Sequence, residues 1–108
     1  MHTIDEVQLK RETLIAALEH RELEVFQYQV NIDNYETAIE IAGTGPDANE
    51  LTSAVTDNLR TERIEQKKSQ LILDSILKQL EGEDIAGLVE VHKAAAAAKA
   101  LEAAKALE

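Results

Sequence analysis

Three histidines, His2, His20 and His92, are the first residues to ask about chemistry, because a neutral imidazole is the commonest metal ligand and proton carrier. A two-metal site in a helix bundle needs Glu-x-x-His pairs aimed inward. Here Ala17 stands three residues before His20 and Val89 three before His92, so the pairs are missing. Nor does the chain carry His-Glu-x-x-His, a Gly-rich phosphate loop ending in Lys-Ser or Lys-Thr, or a calcium loop of alternating acids around a glycine. The histidines read as surface residues, with no metal or cofactor expected. A nucleophilic mechanism would need a Ser, Thr or Cys beside an activating base. Cysteine is absent, and Ser53, Ser69 and Ser75 have no histidine near them in sequence. The expectation is a protein that is not an enzyme.

The remaining candidate for chemistry is charge. Arg60, Arg63, Lys67 and Lys68 form the one basic cluster, but Glu62 and Glu65 are interleaved and no stacking aromatic accompanies them. The whole chain has a net charge of −10, which repels phosphate backbones and anionic membranes. Direct nucleic-acid binding and membrane binding are therefore not expected. The basic cluster is expected to pair with the acidic first helix, and the acidic outer face to suit a partner with a basic protein surface.

These residues must be positioned by helices. Thr3-Ile4-Asp5-Glu6 has the pattern of a capping box, with Thr3 as cap, and no Pro or Gly follows before Gly43. Gly43-Thr44-Gly45-Pro46 is the clearest break: Gly43 suits a left-handed C-terminal position, and Pro46 with Asp47 suits a new helix start. The pattern predicts one helix over about 3–42, a turn over 43–46 and a second helix over about 47–81, with the short turn forcing the two antiparallel. Gly82-Glu83-Asp84 predicts a stop and restart with Asp84 as cap, although a kinked continuation of the second helix also fits. The segment 83–108 is a third helical stretch, weakened at its start by Gly87. Its Ala97–Glu102 sequence is repeated as Ala103–Glu108, and this exact repeat gives it the character of an engineered extension, a natural alanine-rich helix being the alternative.

Steps of three and four from Ile4 land on Val7, Arg11, Leu14, Leu18, Arg21, Val25, Tyr28, Ile32, Tyr35, Ile39 and Ala42. Only the two arginines break the apolar seam, where their stems can lie along its edge. In the second helix, Leu51, Val55 and Leu59 and then Leu73, Ile76 and Leu80 keep the same spacing around a polar middle. Pairing about the turn sets Ile39 opposite Leu51, Tyr35 opposite Val55, Val25 opposite Ile64, and Leu18 opposite Leu71 or Ile72. The polar middle then lies across from Tyr28 and Arg21. A second apolar stripe runs along the back of the first helix: Leu9, Ala16, Leu23 and Val30, with Phe26 beside it and Ile15 linking it to the seam. One partner helix covers one face only, so Leu9, Ile15, Leu23, Phe26 and Val30 are the expected protein interface. A second subunit is favoured over the third helix as its cover, as a dimer in which the stripe meets its own copy.

The fold class that follows is all-α: a coiled-coil-like antiparallel helical hairpin over 1–82 with a third C-terminal helical segment over 83–108, assembling into a helix bundle. Aromatic residues are only 3% of the chain, which suits aliphatic helix seams. The first residues lack a signal peptide's basic start and apolar run, and no stretch matches a membrane span, so a cytoplasmic protein is expected. Secreted WXG-type proteins share the hairpin layout, but Gly43-Thr44-Gly45 stands at this turn and no Trp occurs, so no family is assigned. The expected function is a small acidic homo-oligomeric coiled-coil adaptor or inhibitor, of the kind phages and mobile elements carry as accessories. The alternatives are a secretion-type chaperone for a client helix and an acidic mimic of nucleic acid.

Overall fold

The computed structural model describes residues 5–107. The chain is all-α, with α1 (Glu6–Ala42), α2 (Ala48–Gln79) and α3 (Ile85–Ala106). α1 and α2 pack closely as a helical hairpin, while α3 contacts α1 less. No helix among the described residues is long and apolar enough to cross a membrane.

Local chemistry sets the helix ends. The Asp5 Oδ1 atom accepts from the backbone amides of Val7 and Gln8 at 3.1 and 3.2 Å, so this carboxylate caps α1 at its positive end. Thr3 and Ile4, the other residues of the predicted capping box, lie outside the described residues, as does His2. At the first turn the expectation for Gly43 is corrected. Its amide still donates helically to Ile39 at 3.0 Å, and the positive φ of the turn falls on Asp47, at 60°. Asp is among the few side chains that tolerate that region, and Leu51 then donates to the Asp47 carbonyl at 3.0 Å. The second junction follows its prediction. Gly82 takes a φ of 88°, and the Asp84 side chain accepts from the Gly87 amide. Gly87 has a use here, because a β-carbon on it would collide with that capping carboxylate.

The chain divides into two compact units. The first comprises His20–Ser75, the α1–α2 hairpin on either side of its turn. Along α1, Ile32 is buried and Val25, Tyr28, Tyr35 and Ile39 are half-buried, as the seam predicts. Along α2 the covered row is Thr52, Val55, Leu59, Glu62, Gln66, Ser69 and Leu73, again spaced at three and four. This corrects the pairing proposed for α2: Leu51, Ile64, Leu71 and Ile72 are exposed, and Gln66 rather than Ile64 meets Val25. Gln66 and Ser69 can stand in the seam because they find partners on α1. Gln66 Nε2 donates to the Val25 carbonyl at 3.3 Å and to Gln29 Oε1 at 2.9 Å.

The second unit is made from Met1–Glu19 and Ile76–Glu108, as far as these are described. Its interior is aliphatic, with Ile15, Leu18, Ile76 and Leu80 buried. Val7, the first described seam residue, is exposed. Arg11 donates to Glu83 at 3.0 Å, tying α1 to the α2–α3 junction. α3 has no buried residue. Ile85, Leu88, Val89 and His92 are half-buried, and from Lys93 to Leu107 every residue is exposed.

Candidate interaction surface

The structure separates the five residues of the predicted interface. Ile15 is only 2% exposed, inside the unit that contains α3. It belongs to the interior and is not available to a partner. Leu9, though exposed, lines with Ile15 and Ala16 a groove of about 650 Å³ whose other wall is Leu88 and Val91 of α3. There the third helix lies beside the back stripe of α1. In the hairpin unit nothing does: Leu23, Phe26 and Val30 are 54%, 66% and 43% exposed. They recur at three and four residues on one face of α1, with exposed Glu22, Asp33 and Glu40 along one edge.

The outer face of α2 was missed by reading apolarity alone. Ile64 and Leu71 are 53% and 70% exposed and stand seven residues apart, one above the other on a helix. The signal that finds them is the spacing of the whole covered row, followed through Glu62, Gln66 and Ser69 as well as through its leucines. The basic cluster surrounds them. Arg63 donates to Glu36 of α1 at 2.7 Å, as the expected pairing with α1 requires. Arg60 and Lys68 turn instead to Asp57 and Glu65 of their own helix, at 3.6 and 3.1 Å. Lys67 makes no ion pair among the described residues.

The densest group of chemically capable side chains is Arg21, Glu24 and Ser69, with His20 at its margin. Ser69 Oγ donates to Glu24 Oε2 at 2.8 Å, and Arg21 Nη1 donates to both, at 3.0 and 3.3 Å. His20 Nε2 lies 3.5 Å from the other Glu24 oxygen. The hydrogen bond from Ser69 pulls the Glu24 carboxyl below its ordinary range, and the charge of Arg21 adds to this against an opposing cost of desolvation. The order of groups is wrong for a nucleophile, since the carboxylate stands between Ser69 and the imidazole instead of behind it. Ser69 is also only 3% exposed. The cluster acts as a polar clamp between α1 and α2, and it gives Arg21 the polar partner that the sequence pairing anticipates. Glu62 is less well served, with one carboxylate oxygen buried and unpartnered.

His92 of α3 lies 3.6 Å from Glu19 of α1, and one oxygen of Glu19 is buried without a hydrogen-bond partner. Among the described residues no group of three or more His, Asp and Glu side chains is placed to hold a metal ion. No family model matches the chain, and neither does any curated protein or any solved structure.

Proposed function

We propose that this chain is a non-enzymatic coiled-coil interaction protein: a small, acidic cytoplasmic adaptor or inhibitor that assembles with itself and covers a basic surface of another protein. The observation that carries the reading is the exposed row Leu23, Phe26 and Val30 on the back of a helix whose front is already occupied. Burying a Leu or Phe side chain is worth roughly 1.5–3 kcal/mol. A row of three, engaged in every copy, can compete with an association cost on the order of 4–15 kcal/mol. The net charge of −10 supports a basic partner through electrostatic complementarity and keeps the assembly soluble. Light scattering on the wild type and on a Leu23→Glu, Phe26→Glu double variant tests the reading. The expected result is an oligomer for the first and a helical monomer of 11.9 kDa for the second. A wild type that is monomeric at tens of micromolar, on the order where weak specific association is visible, would sink it.

A second reading rests on the groove beside α3. Its apolar wall of Leu9, Leu88 and Val91 has the character of a seat for an amphipathic client helix, as a chaperone would need. Copurification of a helical client that is released by Val91→Glu would favour this reading over self-assembly.

A further inference from the structure

We infer that the apolar row on the back of α1 docks onto the back of α2 of a second copy, so that the protein assembles head to tail and not through a self-matching pair. The inference rests on α1 being a self-association surface and names what covers it.

The two faces belong to the same compact unit, and they match. On α1, Leu23 and Val30 are seven residues apart with Phe26 between them; on α2, Ile64 and Leu71 are also seven apart, and all five are exposed. Seven residues of helix span about 10.5 Å, so the two rows have equal length. The uncompensated charges along their edges are opposite in sign. Glu22 and Asp33 stand four and seven residues from Phe26 along the edge of the α1 row, and Glu40 continues it. On α2, Arg60, Lys67 and Lys68 stand three or four residues from Ile64. Arg60 and Lys68 pair with Asp57 and Glu65 of their own helix, which leaves Lys67 as the uncompensated positive charge beside the row. A stripe meeting its own copy antiparallel would bring its acidic edges together, which is destabilising, while the α2 face supplies the complementary sign through Lys67. Lys67, which makes no ion pair among the described residues, is available to an α1 carboxylate of the neighbour.

The two faces lie on opposite sides of the hairpin, because each helix turns its covered row toward the other. A pair of copies therefore satisfies one face of each and leaves one face of each open. Such a contact is heterologous, and it propagates until a ring closes or a chain grows.

Two single variants, Phe26→Glu and Leu71→Glu, each checked by circular dichroism, test this. Both alter exposed side chains, so both are expected to stay helical. Each alone is expected to be monomeric where the wild type associates beyond a dimer. Mixed at equal concentration, they should form a one-to-one heterodimer, because each supplies the face the other lacks. Lys67→Glu, which leaves both apolar rows intact, should weaken wild-type association several-fold, and added salt should weaken it as well. If Leu71→Glu assembled like the wild type while Phe26→Glu did not, the head-to-tail contact would be overturned and self-association through α1 would stand. Two monomeric variants that ignore each other on mixing, or an assembly strengthened by salt, would also overturn it. A monomeric wild type would remove both this inference and the reading beneath it.

Discussion

The two compact units are stretches of the same helices held in different ways. In the unit that contains the chain's two ends, α1 contributes Ile15 and Leu18 to an aliphatic interior, and α3 lies beside the back stripe. In the hairpin unit, α1 meets α2 through Arg21, Glu24, Gln29 and Glu36, with Ile32 as its buried aliphatic residue, and its back stripe is bare. One sequence pattern, a seam with a second apolar stripe behind it, thus has two outcomes, decided by whether the chain brings a third helix to that face. The aliphatic interior provides bulk hydrophobic stabilisation. The polar clamp contributes less net energy but penalises misalignment, since a slipped register would leave buried Ser69 and half-buried Glu24 and Gln66 without partners.

The largest expected effect separates the units by burial. Leu18→Asp would place an unpaired carboxylate in the aliphatic interior, at a cost of about 3–5 kcal/mol, whereas Phe26→Ala on the bare face should change monomer stability by at most about 0.5 kcal/mol. Urea unfolding of both at concentrations too low for association measures the contrast, and equal losses would erase it. Next in size is the clamp. Ser69→Ala removes two hydrogen bonds across the hairpin and leaves Glu24 less well satisfied, for a loss of about 1–3 kcal/mol by the same method. The same clamp sets an acid limb on stability. Because Glu24 titrates below its ordinary range when folded, its contribution is present above the unfolded carboxylate range and is lost as the pH falls through the lower, folded value. A Glu24→Gln variant should therefore be less stable near neutrality and lose less between there and strong acid. An unchanged pH profile in that variant would remove the clamp from the account. The smallest effect is expected from deleting 94–108: these side chains are exposed as far as they are described, so the midpoint of thermal unfolding should barely move. A loss of cooperative unfolding would make the alanine-rich stretch an integral third helix.

The seam of α1 is legible in the sequence because its positions are apolar almost without interruption, and the structure covers the row it predicts from Arg11 to Ala42. α2 is less legible. Its covered row crosses Glu62, Gln66 and Ser69, and a reading that follows leucine and isoleucine drifts onto the outer face at Ile64, Leu71 and Ile72. Those residues are apolar without being interior, and what distinguishes them is the polar partners that α1 offers, which no local pattern in α2 displays. The turn shows the same limit on a smaller scale. A positive φ was needed near residues 43–47, and glycine is its usual host, but Gly43 keeps its helical hydrogen bond and Asp47 takes the left-handed conformation. At the second junction, where Gly82 and Asp84 are each the best residue for the role they fill, sequence and structure agree. The candidate surface was legible as a stripe; that α3 would lie beside its first part depended on a long-range packing choice.

The central claim is that Leu23, Phe26 and Val30 are covered when copies associate. It is tested most directly by the thermal midpoint as a function of protein concentration. Association of folded chains stabilises them by mass action, so the wild-type midpoint is predicted to rise steadily with concentration, while that of Leu23→Glu, Phe26→Glu stays constant. A wild-type midpoint independent of concentration, equal to that of the variant, would contradict the account.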